Sequence, residues 1–409
     1  MTKKLQILVL PSFFPAEDKR TKGIFIKEQV ELLKSKYQII VIYFVTRNLS
    51  LLAFLYEIFF KSKKRNYKSV IRQSGYNVWS SILLKLKRPS SVINFWNRYL
   101  ADTINIYLLK IKVKGLVQHL NRENIKIDLV HAHTVCFGGI IANYYLKQEG
   151  TKYLITEHQA LIFNRSYRIN FEIQKAIRNC SSLLTVSHFQ KKILMLQGIY
   201  KENTVIGNFV DDQKFILAKK NSRLFKILFI TYPDLIKGNE IFFKSVQSLI
   251  NKGHKNFRVK VLVNFDKQKT LQKWVTNHGM SEFFDFFYDL DRNRSIQMIN
   301  NCSVLVSTSY SETFGLAVCE ALMCGKPVVT SSSGGIDEMV THENGIKVPI
   351  GDTKAVAEGI LKIMSGEFKY DPVKIRKSVL YKYGREAFMA KMDAVYNNVL
   401  SSVRTEHNL

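Results

Sequence analysis

Short runs of apolar, largely β-branched residues recur along the chain, and longer segments with helical periodicity separate them. In the first half the runs are QILVL, YQIIVIYFV, IDLVHAH, KYLITEH and SLLTVS; in the second half they are FKILFIT, RVKVLVN, CSVLVSTS, KPVVTS and GIKVP. Strands that are apolar at consecutive positions are typical of parallel sheets, because helices cover both of their faces. The pattern therefore predicts an α/β protein.

The pattern restarts near residue 225, after a polar segment at 207–223 (GNFVDDQKFILAKKNSR) that we interpret as a linker. A chain of 409 residues also exceeds the size at which one hydrophobic core stops growing. We therefore expect two doubly wound, Rossmann-like domains, 1–207 and 208–384, that face a central cleft. The helical segment 385–409 is expected to cap one domain or to cross back to the first. Ligands of such folds bind at the carboxyl ends of the strands.

The charge balance is strongly basic, with 61 Lys and Arg against 33 Asp and Glu and a formal net charge of +28. Residues 32–122 carry 17 of these cations and only two acids. Within them, the segment 49–100 sets apolar, aromatic runs beside basic clusters, which suits the interface of an anionic membrane. An amphipathic helix with a solvated basic face is the structural alternative. Nucleic acid is not expected as a partner, because no nucleic-acid-binding signature accompanies the charge.

The five cysteines are scattered and none belongs to a C-x-x-C pair, so we expect reduced cytosolic thiols rather than disulfides or a zinc site. Uninterrupted apolar runs stay well short of the ~18 residues that a membrane span needs. Together with the basic first domain, these features predict a cytoplasmic protein, peripheral on the inner face of the cytoplasmic membrane.

The segment 301–329 (NCSVLVSTSYSETFGLAVCEALMCGKPVV) is predicted to form a strand, a loop, a helix and a second strand. Glu312 lies on the loop at the carboxyl end of the first strand, and Gly315 opens the helix. The free N–H groups of residues 314–317 would form an anion site suited to phosphate. Glu320 lies more than one turn inside the helix, where a buried carboxylate needs hydrogen-bond donors. We expect it to face the cleft, where vicinal hydroxyls would suit it.

This segment resembles the glutamate-x7-glutamate signature of retaining glycosyltransferases of the GT-B type, in particular family four. The matching segments are SETFGLAVCEALMCGKPVVTSSSGGIDEMV and HENGIKVPIGD. The likeness extends along the chain through HAHT, ITEH, VSHFQKKIL, IGNFVDDQKF and LIKGNEIFFKSV. Two glutamates at this spacing carry little information alone, whereas the added glycine, Gly-Lys-Pro and Gly-Gly-x-x-Glu make the signature specific.

The resemblance implies roles for both glutamates. Glu320 would hold the ribose hydroxyls of the nucleotide. Glu312 would contact hydroxyls of the transferred sugar and stabilise the charge that develops there. The backbone amides of Phe314, Gly315 and Leu316 would bind the phosphates of the donor. The structural alternative for the two glutamates is a pair of surface acids that flank a core helix.

The resemblance also implies roles outside this segment. Lys237 would neutralise the leaving diphosphate, and His158, at the end of the ITEH strand, would face the sugar and the acceptor. Gly23 matches the glycine loop that precedes the first helix, where the backbone must approach the ligand. The structural alternatives are a solvated lysine before a glycine turn and a hydrogen-bonded core histidine.

The chain departs from the family at one position of the expected phosphate site. The family usually places an arginine five residues before the lysine, as a second phosphate cation, and here Tyr232 stands there. Arg165 or Arg294 could substitute for it. If no other cation takes its place, the leaving group would be stabilised less and catalysis would be weaker.

The sequence thus predicts a retaining glycosyltransferase of the hexosyltransferase type. It would move a sugar from a nucleotide-sugar to a hydroxyl of a saccharide or lipid-linked saccharide, in bacterial surface polysaccharide or glycolipid synthesis. The nucleotide-sugar is a substrate, and no cofactor or metal is expected. Two alternatives remain: a hydrolysing sugar-nucleotide epimerase of the same architecture, and a catalytically degenerate binding subunit, which Tyr232 motivates.

Overall fold

A computed structural model describes residues 4–15, 23–49, 68–73, 76–86, 95–163, 165–217 and 224–406, with side chains except at 45–98 and 402–406. Much of the basic segment 49–100, including its lysine-rich run 61–65, lies outside the described residues. Of the helices that are described, none is both long enough and apolar enough to cross a bilayer.

The described strands form one sheet in each half of the chain. Those of the first sheet are β1 (Gln6–Pro11), β2 (Gln38–Leu49), β3 (Lys68–Gln73), β4 (Tyr76–Leu86), β5 (Leu129–His133), β6 (Tyr153–Thr156), β7 (Ser182–Thr185) and β8 (Asn203–Val205). Those of the second are β9 (Phe225–Thr231), β10 (Phe257–Val263), β11 (Phe284–Tyr288), β12 (Val304–Ser307), β13 (Val328–Ser331) and β14 (Gly345–Val348).

The strand orders are β3-β4-β2-β1-β5-β6-β7-β8 and β11-β10-β9-β12-β13-β14. All paired neighbours are parallel except β3 and β4. Both orders reverse direction beside the first strand of their sheet, the point at which doubly wound folds bind ligands. The prediction of two α/β domains is confirmed.

Helices cover both sheets, which explains why the central strands are apolar at consecutive positions. They are Ile24–Leu33, Phe95–Arg122, Ile140–Glu149, Tyr167–Asn179, His188–Leu196, Asn239–Asn251, Thr270–Asn277, Arg292–Asn300, Leu316–Met323, Thr353–Ser365, Pro372–Tyr383 and Arg385–Glu406. In β1, for example, Ile7, Leu8 and Val9 are all fully buried.

The chain crosses between the domains twice, at neighbouring points. After β8 it runs through the predicted linker, where the N–H of Val210 donates to the carbonyl of Tyr383 at 3.0 Å. The carboxylate of Asp212 accepts from the N–H of Arg385 at 2.7 Å, just where the second crossing begins. The two connections are therefore hydrogen-bonded to each other, and they lie side by side where a hinge between the domains would be.

The last helix, Arg385–Glu406, packs against the first domain. Its buried residues Phe388, Met392 and Tyr396 belong to a hydrophobic cluster that also contains residues of β1 and β2. The hydroxyl of Tyr396 is hydrogen-bonded to Nδ1 of His131, on β5, at 2.8 Å. The C-terminal helix thus covers the face of the first sheet opposite to the long helix Phe95–Arg122 and its neighbours.

Candidate active site

Glu312 is held at the carboxyl edge of the second sheet by backbone hydrogen bonds to the loop after β13. Its N–H donates to the carbonyl of Ser333, and its carbonyl accepts from the N–H of Gly335, both at 2.8 Å. A Cβ atom at Gly335 would lie 2.1 Å from the carbonyl oxygen of Thr313, and one at Gly334 would lie 2.3 Å from the ring of Phe189. The paired glycines therefore allow two loops and the other domain to meet here.

The carboxylate of Glu312 forms an ion pair with Lys237. Oε1 lies 2.5 Å from the Nζ atom of Lys237 and 2.9 Å from Oγ of Ser309, which also donates to it. Lys237 ends the helical turn after β9, and β9 is the neighbour of β12, so both side chains come from adjacent carboxyl ends. About a fifth of each side chain is exposed. The pair is thus open to a ligand in the cleft.

Tyr232 lies directly beside this pair. Its ring centroid is 5.1 Å from the Nζ atom of Lys237, a distance that fits a cation–π contact. Burial raises the pKa of the Tyr232 hydroxyl, so the phenol is neutral and can donate a hydrogen bond. Arg165 is exposed. Arg294 is also exposed, and it interacts with Asp291 at 3.6 Å. The surroundings of these two arginines therefore give no support to either as the second phosphate cation.

Gly315 places the start of the helix Leu316–Met323 at the same edge. Its φ of 85° is a left-handed conformation that favours glycine, and a Cβ atom there would lie 2.3 Å from Ile336. Its carbonyl accepts from the N–H groups of Val318 and Cys319 as the first turn forms. The amides from Phe314 to Ala317 precede the first intrahelical donors, and at a helix N-terminus they attract anions.

Phe314 fixes the position of these amides. Its buried ring packs edge-on against that of Tyr383, with the centroids 5.0 Å apart. Tyr383 belongs to the helix that ends at the second crossing between the domains. The backbone at the start of Leu316–Met323 is therefore anchored close to the connection about which the domains would move.

Glu320 is buried in the second turn of this helix and is paired with an arginine that sequence reasoning missed. Its Oε1 atom accepts from Nη2 of Arg292 at 2.6 Å. Burial raises the pKa of the Glu320 carboxyl, and the Arg292 guanidinium opposes that rise. The same guanidinium also contacts Glu28 of the first domain, at 2.9 Å. A buried carboxylate implies a donor, but the sequence does not say which one.

His158 lies at the carboxyl end of β6, on the first-domain side. Its Nε2 atom is 3.1 Å from Nδ1 of His133, and its Nδ1 atom is buried without a hydrogen-bond partner in the described part of the chain. Burial lowers the pKa of His158 to about 3, so the imidazole is neutral at physiological pH. The carboxylate of Glu157 accepts hydrogen bonds from the backbone N–H groups of Val135, His158 and Gln159.

Gly23 is two residues before Phe25, whose ring contacts His158. Gly23 has a φ of 76° and immediately precedes the helix Ile24–Leu33. A Cβ atom there would lie 2.6 Å from the carbonyl oxygen of Phe13, so any side chain would push the loop after β1 away. The rings of Phe25 and His158 meet edge-to-face, with centroids 4.9 Å apart. The structure thus brings Gly23 and His158 to one edge of the first sheet.

The two edges meet across the cleft. The hydroxyl of Thr313, next to Glu312, donates to the carbonyl of His158 at 3.1 Å. Oγ of Ser187 donates to the carbonyl of Thr313 at 2.5 Å. Glu338, from the Gly-Gly-x-x-Glu segment, accepts from the N–H of Phe189 at 2.7 Å, so it caps a first-domain helix. The loop that carries Glu312 is therefore in direct contact with the strand end that carries His158.

Comparison with known proteins assigns the family. The model of the glycosyl transferases group 1 matches residues 211–386, and that of glycosyltransferase family 4 matches residues 90–214. The capsular polysaccharide biosynthesis glycosyltransferase CapM of Staphylococcus aureus is 26% identical over 257 residues, which cover 57% of this chain and 66% of that protein.

Two solved structures share the fold over almost the whole chain. Sucrose-phosphate synthase from Thermosynechococcus elongatus superposes with a TM-score of 0.72 at 17% identity. The alignment covers 97% of this chain and 100% of the synthase chain. The Anabaena protein HepE, in complex with UDP and glucose, superposes with a TM-score of 0.67 at 17% identity, and covers 96% and 100%. The chain belongs to the group 1 glycosyltransferases and has the GT-B fold; both expectations are confirmed.

Proposed function

We propose that this glycosyltransferase transfers a sugar from a nucleotide-sugar to an acceptor hydroxyl with retention of configuration. The observation that carries the proposal is the Glu312–Lys237 pair beside the free amides of the helix Leu316–Met323. A cation and a helix N-terminus at one point of a cleft form a site for a diphosphate. The structure of HepE in complex with UDP and glucose supports a nucleotide-sugar as the donor.

In the reaction, the bond between the anomeric carbon and the phosphate oxygen breaks, and its electrons stay on the diphosphate. Lys237 and the amides near Gly315 would stabilise that negative charge. Glu312 would meet the sugar, on which positive charge develops, and Glu320 would hold the ribose hydroxyls. The acceptor oxygen would bond to the anomeric carbon on the same face, while its proton passes to the departing phosphate. Lys237 and the helix amides take the place of a metal in this scheme.

His158 would serve as a neutral hydrogen-bonding group rather than as a charged acid. Because burial lowers its pKa to about 3, the imidazole would be neutral at neutral pH and would not act as an imidazolium acid. The free Nδ1 atom can instead form a hydrogen bond with a sugar or acceptor hydroxyl. A neutral ring also adds no positive charge beside the developing charge on the sugar.

Binding of the donor is expected to raise the melting temperature of the protein. A ligand that binds only the folded state stabilises it by about 2.7 kcal/mol at a hundred times its Kd. Thermal unfolding should therefore be followed with UDP-, GDP- and ADP-sugars, and one base should produce a shift of several degrees. Free glucose is the control. If no nucleotide-sugar moves the transition, the protein is not a transferase of this kind.

A glycosidic product is the observation that separates the proposal from its two alternatives. A hydrolysing epimerase would release nucleoside diphosphate at the same rate with and without an acceptor. A degenerate binding subunit would bind the donor and form no product. A transferase releases the diphosphate in proportion to the acceptor consumed, apart from slow hydrolysis, which cleft closure limits.

We further propose a lipid-linked saccharide or other saccharide as the acceptor, at the cytoplasmic membrane surface. The basic residues 32–122 support this proposal, as do exposed apolar side chains on the first domain, namely Tyr99, Leu100, Tyr107, Tyr167 and Phe171. The name of CapM supports surface polysaccharide synthesis as the setting. The protein would then act as a peripheral enzyme on the inner face of that membrane.

Neutralising the four cations within residues 61–65 is expected to weaken binding to anionic vesicles about tenfold. Each cation close to the surface contributes up to about 1 kcal/mol, and those beyond a Debye length of about 8 Å contribute little. Co-sedimentation with phosphatidylglycerol vesicles measures the effect, and phosphatidylcholine vesicles give the background.

The matched control neutralises four exposed lysines of the second domain, Lys244, Lys252, Lys354 and Lys362. It removes the same charge from another surface and should leave vesicle binding nearly unchanged. Equal losses in both variants would show a general charge effect. Binding that resists both the substitutions and added salt would remove the membrane from the proposal.

A further inference from the structure

Arg292 connects the two domains through a pair of buried carboxylates. It begins the helix Arg292–Asn300 of the second domain. Its Nε and Nη2 atoms each donate to Glu28, on the first-domain helix Ile24–Leu33, at 2.9 Å. Nη2 also donates to Glu320 at 2.6 Å. The guanidinium carbon lies 5.1 Å from the ring centroid of Phe215, which supports it from another side.

This ion triad is costly to bury. The side chains of Glu28 and Glu320 are only 3% and 4% exposed, and that of Arg292 is 19% exposed. Burying charges costs about as much as their pairing returns, so such a cluster is weak evidence for stability. Removing the arginine would leave two buried carboxylates close together, with Lys214, 3.9 Å from Glu28, as the next cation. Its position at the predicted ribose carboxylate points instead to a functional role.

The carboxylate of Glu320 keeps hydrogen-bond acceptors that Arg292 does not use. Among the described residues, the hydrogen bond from Arg292 ends on Oε1, and a carboxylate oxygen offers two lone pairs. Oε2 therefore remains available to accept two ribose hydroxyls. The planar fork of the guanidinium binds Glu28 through two hydrogen bonds and thereby places Nη2 on Oε1 of Glu320, a geometry that a lysine ammonium would not reproduce.

We propose that Arg292 is a positioning residue of the donor site, which orients Glu320 for the ribose and links it across the cleft to Glu28. The inference rests on the proposed function, in which Glu320 binds the nucleotide. Contact between the two domains would then strengthen nucleotide binding, and nucleotide binding would strengthen that contact, because the same guanidinium binds both Glu28 and Glu320. Such coupling is reciprocal and typically changes affinity about 5- to 150-fold.

Glu28 makes the inference testable, because it is assigned no contact with the donor. Replacement of Glu28 by glutamine keeps the shape and removes the charge that holds Arg292 from the first domain. We expect this variant to bind UDP, GDP or ADP, whichever the wild type prefers, about tenfold more weakly. Isothermal titration of the full chain gives the affinity, and the KM for the donor should rise about tenfold while kcat stays within about threefold.

Three further variants complete the experiment. Arg292→Gln should weaken nucleotide binding at least as much as Glu28→Gln does. The double variant should bind only slightly more weakly than the weaker-binding single variant, because both substitutions remove the same interaction. Arg292→Lys, which keeps the charge and loses the fork, should fall between wild type and Arg292→Gln. Arg258→Gln, which removes an arginine paired with Asp285 at 2.8 Å near the amino end of β10, is the matched control and should bind normally.

The outcomes separate this inference from the proposed function. If the wild type binds none of the three diphosphates, the proposed function fails and the inference fails with it. If the wild type binds and Glu28→Gln binds equally well with the same KM, the inference is overturned and the proposed function stands. A lower melting temperature with unchanged affinity would show that the triad is merely structural. Should Arg292→Gln fail to fold, Glu28→Gln and Arg292→Lys still decide.

Discussion

Replacement of Lys237 by alanine is expected to lower kcat by about a thousandfold. Lys237 is the cation that the site presents beside the amides near Gly315, at the point where negative charge would develop on the diphosphate. Removing one preorganised donor from such a site costs about 10²- to 10³-fold in turnover. We expect the upper end, because the position of the second phosphate cation is occupied by the neutral Tyr232. Initial rates at saturating donor and acceptor measure the effect.

The ion pair with Glu312 does not prevent this role. An ammonium group has three donors, so one can remain on Glu312 while the others reach a phosphate oxygen. The pair would hold the lysine near the donor before it binds, which reduces the entropy lost on binding. In the alanine variant, Glu312 would keep Ser309 as a donor at 2.9 Å but would lose its counter-charge.

Two variants control for charge and for surface effects. Lys237→Arg keeps the cation and should retain more activity than the alanine variant. Lys244→Ala removes a lysine that pairs with Glu240 at 2.6 Å on the exposed face of the next helix, and should behave as wild type. Near-normal kcat in Lys237→Ala would mean that another group carries the charge, and Tyr232→Phe, which removes only a hydroxyl, would then be the next variant to measure.

Much of this site could be predicted because it depends on local sequence and on parallel strand order. The apolar run before Glu312 identifies β12, and the run before Lys237 identifies β9. In a parallel sheet, both strands deliver their carboxyl-end residues to one edge, so their meeting follows from the fold class. Gly315 was recognisable as well, since a helix begins directly after it and its neighbours form an anion site.

The cross-domain partners could not be predicted in this way. Glu28 and Arg292 are 264 positions apart, and their contact depends on how the two domains face each other. Burial of Glu320 required a hydrogen-bond donor, yet the sequence offers 61 Lys and Arg residues to choose from. No local pattern marks Arg292, and the tyrosine at position 232 directed attention to Arg165 and Arg294 instead. The packing of the helix Arg292–Asn300 beside Leu316–Met323 selects the partner of Glu320, and the packing of the first helix against the second domain adds Glu28.

Replacement of Glu320 by glutamine is expected to weaken nucleotide binding by about a hundredfold. A carboxylate that accepts two hydroxyl protons forms charge-assisted hydrogen bonds, each worth about 1.5–3 kcal/mol, and a neutral amide retains part of that. The net loss should be near 2.7 kcal/mol, which is about two decades in Kd. Titration calorimetry with the preferred nucleoside diphosphate measures it, and glutamine keeps the volume of the side chain in its buried setting.

The pH dependence of binding adds a second, independent signature. Burial raises the pKa of Glu320, although Arg292 opposes the rise, so its carboxylate should be protonated at a higher pH than that of an exposed glutamate. Protonation removes an acceptor, and wild-type affinity should therefore fall on acidification through that pKa. The glutamine variant should lack this component, whereas titration of the diphosphate itself affects both proteins equally.

Glu358→Gln, on an exposed helix face, should match the wild type. Equal affinities and equal pH profiles for wild type and Glu320→Gln would contradict the ribose role, and the diphosphate would then have to be held by Lys237 and the helix amides without help from this carboxylate.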